Sequence, residues 1–366
     1  MISQVELTLE AYKIAERFEK VNTHYIKLMA QQIKDIGKLD QENMHRLQQM
    51  EIMGNNVKEI NEMLKRETGL ALSEIYDIYD RSAGDIYKEV AYLYKARNLI
   101  QLPFKENTVL QNYIRSVKNL TMGSFMNMSR TTSVQDDYKK AIDLAIDAVA
   151  TGVEDYQSTM WKIVSDNAQK GIRVQYSSGY TRRLDSAARM NILEGARQIN
   201  AGVREECGKQ YGADGIEIDA HGLCAEDHQP YQGKQYTIKE YERINNSLKR
   251  KFGTCNCTHS ISYIILGVSP KSYDNEELEQ MKEYSNKKIT IGDKEITRYQ
   301  ASQAMRKLET DMRYKQEKIL AMKKQGINTN KDVEELSSMK KRYYYITKRA
   351  ELRPQYERAK VPGYKL

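Results

Sequence analysis

All four cysteines and three of the five histidines of this 366-residue chain fall between positions 207 and 259. They are Cys207, Cys224, Cys255, Cys257, His221, His228 and His259, and both residue types are scarce elsewhere. Thiolate sulfur and imidazole nitrogen are the ligands of tetrahedral zinc. Cys224 and His228 have an i, i+4 spacing, and Cys255, Cys257 and His259 alternate, so in a strand those three share one face. Together with His221 they exceed the four ligands that a structural zinc takes. The usual zinc pair is Cys-x2–4-Cys, and Cys-x-Cys is tighter. Two further outcomes stay open beside zinc. Buried thiols and hydrogen-bonded histidines could stabilise an irregular loop, or two cysteines could form a disulfide.

Catalytic chemistry is poorly supplied. Zinc deaminases need His-x-Glu with Cys-x-x-Cys, and neither occurs. Cys257 and His259 could pair as nucleophile and base, but their i, i+2 spacing comes with no orienting group. His221, Asp227, His228 and His259 with a metal would suit a nuclease, yet no acidic metal-binding set stands beside them. The phosphate-cradling patterns Gly-x-Gly-x-x-Gly and Gly-x-x-x-x-Gly-Lys-Ser/Thr are absent. No catalytic residue is assigned. The alternatives to a structural role are a metal-dependent nuclease or other effector enzyme, and a cytoplasmic nucleic-acid-binding protein.

The elements around this segment are mostly helical. Ile14, Phe18, Val21, Tyr25 and Leu28 are spaced 4, 3, 4, 3, a coiled-coil type of seam offered to a partner. Helices are expected over 2–36, 40–53, 55–66 and 72–93, then over 107–120 and 133–167. On the last, Ala141, Ile142, Ala145, Ile146, Val149 and Val153 make one apolar face, and Trp161 belongs to the core. The texture changes at Gly171. Strands are expected over 172–176, 215–219 and 260–266, the first followed by a Ser-Ser-Gly179 turn, with a helix over 185–201 between them. Thr237-Ile-Lys-Glu240 fits a capping box opening a helix that runs to about Arg250. A hairpin over 288–297 and helices over 297–324 and 330–348 follow. The tail from Arg349 holds Pro354 and Pro362 and is expected to extend over a neighbouring surface or to fray. The chain therefore reads as mainly α with an embedded small α+β domain, divided as 1–170, 171–270 and 271–366.

Charged residues make up 30% and the hydrophobic share is 40%, the balance of a polar, soluble protein. No run of 18 apolar residues exists, so no membrane-spanning segment is expected. The first residues lack a basic and then apolar signal, so synthesis in a cytoplasm with reduced thiols is expected. The net charge of +8 is concentrated in residues 339–366, which hold nine Lys or Arg against two Glu. There Lys340, Lys341, Arg342, Lys348, Arg349 and Arg353 mix with Tyr343, Tyr344 and Tyr345, a combination that can bind phosphate backbones and stack on bases. The simpler expectation is a helix with Tyr inside and solvated Lys and Arg outside. Twenty-six tyrosines against four Phe and one Trp suit half-exposed helix contacts.

The steps Asp219-Ala-His221, His228, Tyr231-Gln232-Gly233-Lys234 and Cys257-Thr-His259-Ser260 resemble the phage minor capsid protein family of tailed phages. Cys255-Asn-Cys257 is similar to the Cys-Arg-Cys signature of the head-morphogenesis proteins of Mu-like phages. Two positions depart from the pattern: Tyr231 stands where Trp is usual, and Thr258 stands where Arg is usual. The resemblance covers the chain from about Gly171 onward. It implies a low-copy structural protein of the virion, at the capsid interior or portal vertex, with the portal protein, other head proteins and packaged DNA as partners. It implies a role in head assembly, DNA packaging or genome ejection. The shared His/Cys motif would then hold the central loop together, with structural zinc as the candidate cofactor.

Overall fold

The computed structural model describes residues 4–40, 42–151, 156–254, 257–324, 326–361 and 363–364. The first helix, α1 (Gln4–Ile36), has no Gly or Pro and buries Leu7, Ala11, Ile14, Phe18, Val21, Tyr25, Met29, Ile33 and Ile36. Steps of three and four place all of these on one face. The seam read from sequence exists, but its partners are other helices of the same chain. Ile14, Phe18, Val21 and Tyr25 are at most 3% exposed and Leu28 packs at the edge of the same core, so the seam is closed to a second molecule.

Three expected helices over 40–93 are largely one. Helix α2 (Arg46–Glu89) runs 44 residues, about 66 Å at 1.5 Å per residue. Gly54 and Gly69 lie on its exposed side and do not break it. Each costs about 1 kcal/mol relative to Ala. Burial of Val57, Ile60, Leu64, Ile75, Ile78 and Tyr79 on the other side outweighs that. After α3 (Ala91–Ala96) and Pro103, α4 (Thr108–Arg130) starts at Asn107, whose side chain accepts the Leu110 N–H. The single helix expected over 133–167 is two, α5 (Val134–Ala150) and α6 (Tyr156–Lys170). Ala141, Ile142, Ala145 and Ile146 are buried as expected, Val149 is half-buried, and Val153 lies outside the described residues. Trp161 sits at the core edge with the Lys318 ammonium 5.0 Å from its ring.

The expected strand is β1 (Arg173–Gln175), and after the expected turn, with Gly179 at φ 79°, the chain returns as β2 (Thr181–Arg183), which pairs with it and is not among the expected strands. Helix α7 (Leu184–Tyr211) has 28 residues, eleven more than expected, and ends at Gly212 in the left-handed conformation. It packs against α1, α2 and α4. Gly195 and Gly202 allow the approach: a Cβ at Gly195 would lie 1.7 Å from the Tyr79 hydroxyl, and one at Gly202 2.0 Å from Tyr113 Cζ. Those hydroxyls donate to α7 carbonyls, Tyr79 to Ile192 at 3.4 Å and Tyr113 to Gln198 at 2.9 Å. Tyrosine thus serves as an internal helix spacer with a polar end that finds a partner.

A three-stranded antiparallel sheet follows, in the order β4 (Gln235–Thr237), β3 (Gly215–Ile218), β5 (Ile261–Ile264). Its register sets Ile216 opposite Tyr236 and Tyr263, and Ile218 opposite Ile261, over a small core with Phe252. The expected capping box opens α8 (Ile238–Ser247): Thr237 accepts the Glu240 N–H and Glu240 accepts that of Thr237. Helix α9 (Asn275–Asn286) starts on a second such box, Asp274 with Glu277. The hairpin β6 (Lys288–Ile291) with β7 (Lys294–Thr297) leads into α10 (Arg298–Lys324) and α11 (Asn330–Ala350). The tail packs rather than frays. Leu352, Ala359 and Val361 are buried, and the Gln316 side chain donates to the Ala359 carbonyl at 2.8 Å. The chain is mainly α with a small α+β part.

A buried charged cluster ties α10 to the N-terminal helices. Glu19 from α1, Arg183 and Asp185 from the start of α7, and Arg313 and Glu317 from α10 are all under 8% exposed. Arg183 pairs with Asp185 (3.2 Å) and Glu317, while Arg313 lies 3.1 Å from Asp185 and 3.6 Å from Glu19. Asn22 joins them, accepting the Ile172 N–H at 2.7 Å and donating to Glu317 at 3.3 Å. Two guanidiniums meet three carboxyls. Burial and then the Asp185 charge push the Glu19 carboxyl well above its ordinary range. Against the opposing effect of burial, Arg313 and Arg183 hold Asp185 down at about 2.

Candidate functional site

The loop from Asp219 to Lys234 and the loop before β5 are drawn together by the sheet. The backbone of β3 receives β4 on one edge and β5 on the other, so residues just beyond all three strands converge. Asp219 fastens the closing end: its two carboxylate oxygens accept from the Ser260 N–H and hydroxyl, both at 2.8 Å. Gly233 has φ 70°, and a Cβ there would meet Leu278 at 2.2 Å, so the turn seats against α9. Leu223 also has positive φ, and its N–H is held by the Ser285 hydroxyl at 2.9 Å.

Of the ligand candidates, His221, Cys224, His228, Cys257 and His259 meet in two overlapping groups. One is His221, Cys224 and His259, and the other is His228, Cys257 and His259. Cys255 lies outside the described residues. Cys207 stands apart on α7 in the large core as a free thiol, and Cys224 and Cys257 are likewise unbridged.

The protonation of each ring follows from its partners. The His228 Nε2 lies 2.7 Å from the Arg250 carbonyl, which can only accept, so Nε2 carries the proton and Nδ1 is bare. The Gln232 side-chain oxygen accepts the His221 backbone N–H at 3.2 Å, which fixes the amide orientation. The same oxygen lies 3.0 Å from His259 Nε2, so that nitrogen carries the proton and His259 Nδ1 is bare. His221 donates from Nδ1 to the Gly222 carbonyl at 2.9 Å and accepts the Thr258 hydroxyl at Nε2, 2.6 Å away.

Cys257 Sγ then lies 3.4 Å from one bare nitrogen, His259 Nδ1, and 3.8 Å from the other, His228 Nδ1. One thiol proton can serve one of them, and the second lone pair faces sulfur without a donor. A tetrahedral zinc, with Zn–S about 2.3 Å and Zn–N about 2.0 Å, separates its S and N ligands by about 3.5 Å. The far nitrogen of each ring is held by a carbonyl-type oxygen, the arrangement that orients histidine ligands. Phe252 covers the rings, 4.2 Å from His228 and 5.1 Å from His259 between centroids. Burial, then Cys257, pushes the Cys224 thiol up to about 12, and burial raises Cys257 as well. Burial, then His221 and His228, lowers His259 to about 3. The donor set fits a closed N/S metal site better than an exposed reactive thiol.

Two partners that sequence reading left without a role, Gln232 and Arg250, orient the rings. Gln232 stands in the Tyr231-Gln232-Gly233-Lys234 step, so a signal was present. The Arg250 contribution is a backbone carbonyl and leaves none. Thr258, where the resembled pattern has Arg, binds His221.

In the basic tail, Lys341, Arg342, Lys348, Arg349 and Arg353 are exposed and Lys340 is half-buried. Tyr343 is buried and donates to Glu309 at 2.7 Å, whereas Tyr344 and Tyr345 face outward at 55% and 44% exposure. Lys348 sits 5.5 Å over the Tyr344 ring. The helix has one inner tyrosine and a mixed cationic and aromatic outer face. Among the described residues no helix is long and apolar enough to cross a membrane.

The model of the family described as phage minor capsid protein 2 matches residues 2–343, nearly the whole chain rather than its second half alone. Neither the curated proteins nor the solved structures contain a match. With the helical bundle and the His/Cys loops inside one continuous match, the chain belongs to the phage minor capsid protein 2 family.

Proposed function

We propose that this minor capsid protein docks on the portal through the bend between α3 and α4 and acts there in head assembly, DNA packaging or genome ejection. The observation that carries the reading is an apolar bend left open to solvent. Leu99, Ile100 and Leu102 are 44%, 91% and 53% exposed, flanked by Tyr92 and Val109. A structural head protein must bind other head proteins, and the seam on α1 is already filled from within. Burying each such aliphatic side chain on a partner contributes about 1.5–3 kcal/mol. Co-expression with the portal protein and capture of the complex tests this. Ile100→Glu should abolish capture while leaving the circular dichroism spectrum intact, and undiminished capture would overturn the docking assignment.

In this reading His228 Nδ1, His259 Nδ1 and Cys257 Sγ hold a structural zinc, while Cys224 lies on the other side of the His259 ring, 3.5 Å from Nε2. The metal would lock the two loops beyond the sheet without any reaction being asked of it. Elemental analysis of purified protein should find about one zinc per chain, lost in Cys257→Ser. Metal-free protein of unchanged stability would leave a hydrogen-bonded loop instead.

The outer face of α11 contacts packaged DNA. Binding of duplex DNA should weaken with salt, and Lys348→Gln/Arg349→Gln should lower the log–log salt slope by about two. A slope unaltered by the double change would remove this face from the account.

A further inference from the structure

Helices α1, α7 and α10 meet the His/Cys loop around a cavity of about 340 Å³. Seven arginines line it, against two glutamates. Four of the seven have carboxylates. Arg197 is paired with Glu194 at 2.5 Å, Arg204 with Glu89 at 3.0 Å, and Arg313 with Asp185 at 3.1 Å. Arg358 has only a long contact to Glu309, 3.8 Å. Among the described residues, no carboxylate lies within ion-pairing distance of Arg182, Arg189 or Arg306. Arg189 instead lies 4.6 Å over the Tyr12 ring, and Arg358 lies 5.9 Å over the same ring. Arg306 lies at the exposed rim of the cavity, with the Arg358 charge nearby.

Like charges gathered in a recess, beyond what their carboxylates balance, oppose folding. Arg182 lies 5.3 Å over the Tyr180 ring. Guanidinium forks without carboxylate partners are the complement of a phosphate, whose oxygens take paired N–H donors. The volume is at the small end for ligand sites. A volume of about 340 Å³ admits one nucleotide but not a duplex. Tyr12 offers a ring beside the charges. An acidic peptide would call for an extended groove.

We infer that this cavity binds a phosphate monoester of nucleotide size, gripped by Arg182, Arg189 and Arg306. The source is either a free nucleotide or the phosphorylated end of a DNA strand. The site is separate from the basic outer face of α11, and it shares Cys257 and His259 on one wall with the His/Cys loops.

Calorimetric titration of the full-length protein tests this with three probes: deoxyadenosine 5′-monophosphate, a single-stranded octadeoxynucleotide with a 5′-phosphate, and the same strand with a 5′-hydroxyl. At least one phosphorylated probe should bind at ligand concentrations up to about 1 mM, and the hydroxyl strand should bind at least tenfold more weakly. Binding of the mononucleotide alone assigns a free nucleotide, and binding of the phosphorylated strand alone assigns a strand end. Arg306→Gln and, separately, Arg189→Gln should weaken binding by about tenfold or more. Lys139→Gln on the exposed face of α5, outside both the cavity and α11, should not change it. Arg306→Lys keeps the charge without the fork and should fall between, which separates ligand binding from a folding defect. No binding of either phosphorylated probe would overturn the inference. So would equal binding of both strands, or affinity unaltered in the folded Arg189 and Arg306 variants.

Discussion

Two isosteric substitutions in the buried cluster between α1, α7 and α10 should have opposite consequences. Asp185 and Glu19 are both buried carboxyls beside Arg313. A carboxyl held at about 2 rather than at its ordinary 3.8 favours the charged form by about 2 kcal/mol. Asp185 therefore contributes stability that is present above pH 4 and lost as pH falls toward 2. Asp185→Asn removes that charge and leaves Arg313 and Arg183 with an excess of positive charge. Breaking a buried pair costs about 3–5 kcal/mol, so a loss of about 2–5 kcal/mol at pH 7 is expected. Glu19 has the reverse sign. Its carboxyl is raised, so the contribution is present below its ordinary 4.5 and is lost as pH rises through the folded value. Glu19→Gln supplies a neutral side chain of the same shape and should be neutral or stabilising at pH 7, with less benefit at pH 4. Urea unfolding followed by circular dichroism at both pH values reads the two effects as midpoint shifts. The charge-balance reasoning fails if Asp185→Asn shifts stability by less than about 0.5 kcal/mol, or if Glu19→Gln destabilises at pH 7 by more than about 1 kcal/mol.

Gly195→Ala should destabilise by about 1–3 kcal/mol, since the new methyl meets Tyr79 where α2 crosses α7; a melting temperature equal to wild type would contradict that close approach. Thr237→Ala should cost about 1 kcal/mol by opening the capping box of α8, measured as a lowered urea midpoint. At Ile100, exposed at 91%, the Glu substitution should leave the midpoint within about 0.5 kcal/mol, so any loss of portal capture reports docking rather than folding.

The sequence carried the helices wherever apolar spacing was long and regular, as from Ile14 to Tyr25 and from Ala141 to Ile146. It did not say what those faces meet. A seam of coiled-coil type serves an internal neighbour as well as an external one, and the choice depends on contacts with α2, α5 and α7 far along the chain. Gly54 and Gly69 read as breaks because local propensity favours ending a helix there, but burial on the opposite face decided the matter. The charged cluster was invisible for a related reason. Glu19, Arg183, Asp185, Arg313 and Glu317 each look like surface residues, and only folding brings them together as mutual partners. The His/Cys site was visible in its donors because Cys and His are rare elsewhere. Its ring orientations were not, since they hang on the Arg250 carbonyl and on one oxygen of Gln232. The small strand β4 escaped notice because only Gln235, Tyr236 and Thr237 pair, too few to show an alternating pattern.

The central claim is a portal-associated place in the phage head, and quantitative mass spectrometry of purified virions after cross-linking tests it most directly. The account predicts a low copy number per particle and cross-links between the portal and residues near Ile100, such as Lys95 or Lys105. Absence from particles while the protein is abundant in the infected-cell lysate, or particles in which the chain cross-links only to proteins other than the portal, would contradict it.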